Sequence, residues 1–145
     1  MPGTEYNFIQ VAKIPLTIAL GVTFRRRWRF RFNGSVLPFP FFAEDGTPLW
    51  TGRCMIKADY ADLVPKLSLS TEDGGVTMDY VGTGTTREVF YGLLITAEQA
   101  ATLPLPTTKV PKLVYDIMFD RITNPWTISP QKGPVTIDPR ATRVV

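Results

Sequence analysis

The chain has 145 residues with 16 lysines and arginines against 13 acidic residues, one cysteine and no histidine. This length predicts a single domain that can bury a core. The lack of histidine removes the commonest general base and zinc ligand, the single Cys54 excludes a disulfide within these residues, and a net charge of only +3 is unlike that of strongly basic nucleic-acid-binding domains.

The first residues, 1–13, are predicted to form an N-terminal arm or edge strand, and residues 14–145 a single domain. The chain start has no basic stretch before an apolar run, so no signal peptide is expected. The apolar segment Ile14 to Val22 is too short to span a membrane, and no membrane partner is expected.

Apolar residues of one parity run from Leu16 to Phe32, the alternation of a β-strand. Seventeen residues of unbroken strand would extend about 56 Å, whereas a domain of this size has a radius of gyration near 15 Å. We therefore expect the strand to break, most naturally at Gly21, or to project from the body.

The densest chemical signal is the segment from Phe24 to Phe32, which holds five arginines and four aromatic residues in nine positions. Because strand side chains alternate, the aromatics and Arg26 share one face and the remaining arginines share the other. Those outward arginines are Arg25, Arg27, Arg29 and Arg31.

This arginine row has three interpretations. It could lie on an outer sheet face beside acids such as Asp116 or Asp120, it could form a protein interface, or it could bind nucleic-acid phosphates while aromatics stack on bases. The last requires arginines and aromatics on one face, so the alternation disfavours nucleic acid as a partner. We favour the interface.

A loop rich in phenylalanine and proline follows at residues 36–42, and its two prolines exclude a central strand. The loop is either packed under the sheet or offered to a partner, and both alternatives stay open. With the arginine row, it completes the candidate protein interface, whose members are Arg25, Arg27, Arg29, Arg31, Leu37, Phe39, Phe41 and Phe42.

The rest of the chain predicts short strands and one short helix. Thr96 and Gln99 form a capping-box pattern that begins a helix over residues 97–103, which Pro104 ends. The remaining strands are predicted at residues 49–58, 67–70, 76–80, 89–95, 112–120, 126–128 and 134–137. Their regular spacing predicts an all-β, antiparallel β-sandwich, Ig-like or jelly-roll-like.

No residue pattern indicates catalysis or a cofactor. The sequence shows no metal-ligand spacing, and the acid pairs Asp59/Asp62, Glu72/Asp73 and Asp116/Asp120 are typical of turns and outward strand positions. We therefore expect a non-enzymatic protein with no catalytic residues, no metal and no cofactor.

Several motifs follow one another along the chain: GVTF at 21–24, DGTPLWTG at 45–52, MIK at 55–57, GVTM at 75–78, LITAEQAATLP at 94–104, VYDI at 114–117, GPVTI at 133–137 and RATR at 140–143. Their order resembles a bacteriophage tail-associated β-sandwich family, found in long-tail-fibre proximal connectors and in the N-terminal domain of baseplate upper proteins. The likeness extends over residues 14–143, and residues 37–42 look like an insertion relative to it.

This resemblance implies a structural protein of a virion, assembled in the host cytoplasm. The protein would be an oligomeric adaptor in the tail, neck or baseplate that connects the tail to fibres or spikes, and its partners would be other virion proteins. The alternatives are a capsid decoration protein and a module that binds nucleic acid or, through Trp50 or Trp126, carbohydrate.

Overall fold

The computed structural model describes residues 12–30, 40–82, 87–105, 113–123 and 126–139. These residues form a β-sandwich with one short helix, which confirms the predicted fold class. The elements are β1 (Ala12–Lys13), β2 (Leu16–Ala19), β3 (Phe24–Arg29), β4 (Trp50–Lys57), β5 (Leu67–Ser70), β6 (Val76–Val81), β7 (Glu88–Ile95), α1 (Ala97–Ala101), β8 (Leu113–Arg121) and β9 (Thr127–Asp138).

The two sheets differ in size. The larger has the order β1-β9-β8-β4-β5, with β2 also paired to β9, and the smaller has the order β3-β7-β6. Pairing is antiparallel except at one edge of the larger sheet, where β1 and β2 run parallel to β9. Along β4 and β8, buried residues alternate with more accessible ones, as their sequences predict, and the buried set forms the apolar inner face of the larger sheet.

Predicted strand limits agree with the structure for β4, β5, β6, β7 and β8 to within a residue or two. The helix is shorter than predicted, Ala97–Ala101, but its capping box is present: the Thr96 hydroxyl accepts from the Gln99 amide, and the Gln99 side chain accepts from the Thr96 amide. These reciprocal bonds satisfy two backbone donors at the helix start and so fix where it begins.

The prediction of two separate closing strands is wrong, because residues 127–138 form one strand. Pro130 lies in a β-bulge, where two residues of β9 face one residue of β8 between the pairs Ile117↔Gln131 and Phe119↔Ile128. The Lys132 carbonyl accepts from the Ile14 amide, so Pro134, two residues further along β9, also turns its backbone toward β1 and β2. Its missing amide therefore does not interrupt the ladder with β8.

Gly133 allows the chain before β2 to approach β9 closely. A Cβ at this position would lie 2.3 Å from the carbonyl oxygen of Ile14, which is backbone and cannot swing away. The same Ile14 oxygen accepts a 2.6 Å hydrogen bond from the Tyr115 hydroxyl. A side chain at residue 133 would therefore separate β1 and β2 from β9 and also break this bond.

We accordingly expect Gly133→Ala to lower the free energy of unfolding by about 2–4 kcal/mol, the sum of overpacking and a lost, partly buried hydrogen bond. Denaturant unfolding of the purified chain measures this change. Tyr115→Phe serves as the comparison, because it removes the hydroxyl, with its bonds to Ile14 and Gln131, and introduces no steric conflict at residue 133. Equal stability of Gly133→Ala and the unmodified chain would contradict the close approach.

The long run of alternating residues breaks where the sequence predicts. Gly21 has a φ of 74°, a left-handed conformation that glycine adopts without strain, and it lies between β2 and β3. At this corner the chain leaves the larger sheet and enters the smaller one. The arginine segment therefore begins a new sheet, and among the described strands it is the outermost one of that sheet.

A chain of buried hydrogen bonds crosses the core between the sheets. The Tyr91 hydroxyl on β7 donates to Gln131 Oε1 on β9 at 2.6 Å, and Gln131 Nε2 donates to the Tyr115 hydroxyl on β8 at 2.8 Å. Burial raises the pKa of both tyrosines, that of Tyr115 to about 12, so both hydroxyls stay protonated at neutral pH. This network joins the two sheets through directional contacts.

Candidate protein interface

The arginine strand β3 pairs with β7 on one side, and no strand of the described residues pairs with its other side. Its aromatic members face the interior as predicted: Phe30 is buried, and the half-buried Trp28 ring lies 5.8 Å from the Tyr91 ring. Arg25, Arg27 and Arg29 lie exposed on the outer face. The structure therefore brings three of the four predicted outward arginines together, and Arg31 lies outside the described residues.

Two of these arginines have acidic partners on the other two strands of the same sheet. Arg27 Nη2 lies 3.0 Å from Asp79 Oδ1 on β6, and its guanidinium carbon lies 3.8 Å from the centre of the Phe90 ring. Arg29 Nη2 lies 3.2 Å from Glu88 Oε2 on β7. All four charged side chains are about half exposed, so each ion pair adds at most about 1 kcal/mol to stability.

The interpretation that placed the row beside Asp116 or Asp120 is wrong in those two acids, because both lie on β8 in the other sheet. Asp120 instead binds Arg53 Nε at 2.9 Å and accepts from the Thr127 hydroxyl. Desolvation alone would raise the Asp120 pKa, but these bonds and the Arg53 charge outweigh it and lower the pKa. The actual partners, Asp79 and Glu88, carry no sequence signal that identifies either as an arginine partner.

Arg25 and Arg26 have no acidic partner among the described residues. Three ion pairs join described side chains, and neither arginine belongs to one. Arg26, the exception on the aromatic face, places its guanidinium carbon 5.5 Å from the Trp28 ring centre, within range of a cation–π contact. The edge therefore carries four arginines and two acidic partners, a local excess of positive charge.

The backbone of β3 has one paired side and one open side within the described part of the chain. The Phe30 amide donates to the Val89 carbonyl at 2.8 Å. Because bonded and non-bonded pairs alternate in an antiparallel ladder, even-numbered residues of β3 turn their N–H and C=O groups toward β7. Odd-numbered residues turn these groups away from β7, and they are Arg25, Arg27 and Arg29.

Two other members of the candidate interface are core residues, which corrects that part of the prediction. Phe41 is 1% exposed and its ring stacks on Trp50 with the centroids 5.0 Å apart. Phe42 is 6% exposed, packs against Tyr80 and forms a β-bridge with Pro48. Their apolar rings gain more from burial in the sandwich than from exposure. Leu37 and Phe39 lie outside the described residues.

The acid pairs considered for catalysis mostly organise turns. Asp59 accepts from the Ala61 amide, and Asp73 accepts from the amides of Ser70 and Gly75. In the described ranges, no group of three histidine, cysteine or acidic side chains is placed to hold a metal ion. Cys54 is buried, and burial raises the pKa of its thiol, which disfavours the reactive thiolate.

Trp50 does not provide an exposed platform for a sugar ring. It is 2% exposed, stacks on Phe41, and donates from its indole nitrogen to the Pro40 carbonyl at 3.1 Å. An open cavity of about 570 Å³ lies beside it, lined by Met78, Ile122 and residues of the turn before β6. The Trp126 ring lies 5.6 Å from Trp50 and packs against the core.

No protein-family model matches this chain, and no curated protein matches it either. Among the residues that the structure describes, no helix is both long and apolar enough to cross a membrane.

Proposed function

We propose that this protein is a non-enzymatic structural protein of a bacteriophage virion, an adaptor in the tail, baseplate or neck that connects the tail to fibres or spikes. The motif order from residue 14 to residue 143 supports the family, and the sandwich fold is compatible with it. The protein would act in several copies within the particle and contact other virion proteins.

The observation that carries the proposal is the exposed arginine edge of β3. Three arginines project outward, yet ion pairs on the same sheet engage only Arg27 and Arg29. Arginine is enriched at protein interfaces, and complementary charge guides partners into register. The arginines on this edge outnumber the acidic side chains that pair with them on the same sheet. Such an edge is suited to docking on an acidic protein surface.

The direct test of the proposal is to find the protein on particles. Antibody labelling of virions should mark the tail, neck or baseplate, and pull-down with the purified chain should retain a tail or fibre protein. Labelling spread over the capsid would favour the decoration alternative. Labelling absent from virions, together with a monomeric mass and no bound virion protein, would contradict the adaptor proposal.

Replacing Arg25, Arg27 and Arg29 together by serine is expected to abolish this binding while the fold is retained. The two exposed ion pairs that disappear contribute less than about 2 kcal/mol in total. Circular dichroism and thermal melting report the fold, and the pull-down reports binding. Arg53→Ser is the matched control, since it breaks a similar exposed ion pair on the other sheet and should leave binding unchanged.

Nucleic-acid binding by this edge would give a different result. On β3, Arg25, Arg27 and Arg29 lie on the outer face, whereas the half-buried Trp28 packs inward on Tyr91. The aromatic ring beside them on that face, Phe90, lies 3.8 Å under the Arg27 guanidinium, so this contact occupies a ring face on which a base would stack. A nucleic-acid-binding module should bind DNA with steep salt dependence. We expect no retention of the chain on DNA at low salt.

A further inference from the structure

We propose that the open edge of β3 receives an extended acidic segment of a partner protein, which adds to the β3-β7-β6 sheet as a fourth strand. The inference deepens the proposed adaptor role and rests on it for the partner being another virion protein. The proposed contact is main-chain pairing along one strand. The proposed partner segment has alternating acidic and apolar side chains.

The outward side of β3 presents backbone groups that can pair with another strand. Arg25, Arg27 and Arg29 direct their N–H and C=O groups away from β7, and no other described strand pairs with this side. A row of groups with this spacing can form main-chain hydrogen bonds with an incoming strand. β3 keeps an unbroken register with β7 over its six residues, and it contains no proline or bulge that would block pairing.

Charge selects the class of partner. The three outward residues are all arginines, and Arg25 has no ion-pair partner among the described residues. Side chains directly opposite each other in paired strands lie about 5 Å apart, so a carboxylate across from Arg25 would meet an unpaired guanidinium. An incoming strand with acids at alternate positions would match the row.

The inward side chains of β3 indicate which residues of the incoming strand would point toward the core. Phe24 and Trp28 are half-buried and pack against the core, so part of each ring remains exposed at the sheet edge. Residues of the incoming strand that point inward would cover these rings, which favours apolar side chains there. The partner segment is therefore expected to alternate acidic and apolar residues.

A second copy of this chain is a poor occupant of the same edge. In an antiparallel pairing of two β3 strands, the residues with outward backbone groups face one another, so arginine would always lie opposite arginine. Like charges directly opposite destabilise a strand pair. Such an edge repels its own copies and accepts an acidic strand.

Amide hydrogen exchange resolved by residue tests the pairing on the unmodified chain. In the free protein, the amides of Arg25, Arg27 and Arg29 should exchange fast and those of Arg26, Trp28 and Phe30 slowly. A short synthetic peptide that alternates glutamate and valine should protect the odd-numbered amides. A peptide that alternates lysine and valine is the matched control and should leave them unprotected.

Two substitutions at Arg25 separate the contribution of its backbone N–H to peptide binding from the contribution of its charge. Arg25→Ser and Arg25→Pro remove the same guanidinium, but only proline also removes the outward N–H, and neither touches a bond to β7. We expect Arg25→Ser to weaken binding of the glutamate peptide about threefold and Arg25→Pro to weaken it by a further factor of about ten. Thermal melting shows whether the proline variant remains folded, and the exchange experiment does not depend on it.

Three outcomes would overturn the inference: equal peptide affinity of the proline and serine variants, equal protection by the lysine peptide, and odd-numbered amides that are already slow in the free chain. If the odd-numbered amides are already slow in the free chain, a mass measurement in solution tells whether a second copy or the chain's own residues protect them. If virions label at the tail but Arg25→Pro still binds its tail partner normally, strand addition fails while the adaptor role stands. If neither labelling nor pull-down finds a virion partner, the adaptor role itself fails.

Discussion

Replacing Phe41 by alanine is expected to lower the free energy of unfolding by about 3–5 kcal/mol. The Phe41 ring is 1% exposed and lies within 5.3 Å, centroid to centroid, of the rings of Phe30, Trp50 and Phe119. Removing it would leave a cavity at the centre of the aromatic cluster. For a domain of this size the melting temperature should fall by roughly 10 °C or more.

Thermal melting and denaturant unfolding check this expectation, and Phe41→Leu is the matched control. Leucine keeps most of the buried apolar volume, so its cost should be clearly smaller than that of alanine. The interface interpretation of Phe41 requires the opposite result, a stable protein that no longer binds its partner. A Phe41→Ala chain that melts at the same temperature as the unmodified protein would restore that interpretation.

Gln131→Leu is expected to cost about 2–4 kcal/mol, although leucine is apolar and similar in size. The substitution takes the acceptor from the Tyr91 hydroxyl and a donor from the Tyr115 hydroxyl. Gln131 is 0% exposed, so water cannot readily replace either bond. The buried Tyr91 hydroxyl then carries the cost of desolvation without a partner.

A double-mutant cycle with Tyr91→Phe separates this network from simple packing. Tyr91→Phe alone should cost about 1–2 kcal/mol because Gln131 Oε1 loses its donor. In the double variant both partners of that bond are absent, so the total should fall below the sum of the single costs by about 1 kcal/mol or more. Strictly additive costs, measured by denaturant unfolding, would show that the hydrogen bond does not couple the two sheets.

Local sequence patterns predict much of this fold because the controlling forces are local. Alternation along β4 and β8 marks which side chains enter the core, and the capping box places the start of α1. Gly21 is the one residue in its apolar run that turns without strain, so the strand break is predictable from residue type. In each case the evidence lies within a few positions of the feature.

What could not be predicted depends on residues far apart in the chain. Arg27 and Asp79 are separated by 52 positions, and only the pairing of β3 and β6 with β7 brings them together. The segment around Phe41 contains two prolines and no period, so its own sequence cannot show which ring is buried. Residues 127–138 can form one strand because Pro130 occupies a bulge and the backbone of Pro134 faces β2 rather than β8. Both features depend on how β9 pairs with other strands, so its own sequence does not show them.

The parallel pairing of β2 with β9 has a consequence for the order of folding. Leu16 pairs with Val135, so the larger sheet cannot close until almost all the described chain has been synthesised. The smaller sheet needs only residues up to Ile95 and can pair earlier. Until β9 joins, the larger sheet is incomplete and leaves part of the apolar side of the smaller sheet uncovered, and partly covered sheets of this kind are prone to aggregation. The arginines of β3 give that half-made sheet a charged border, which discourages neighbouring nascent chains from joining edge to edge.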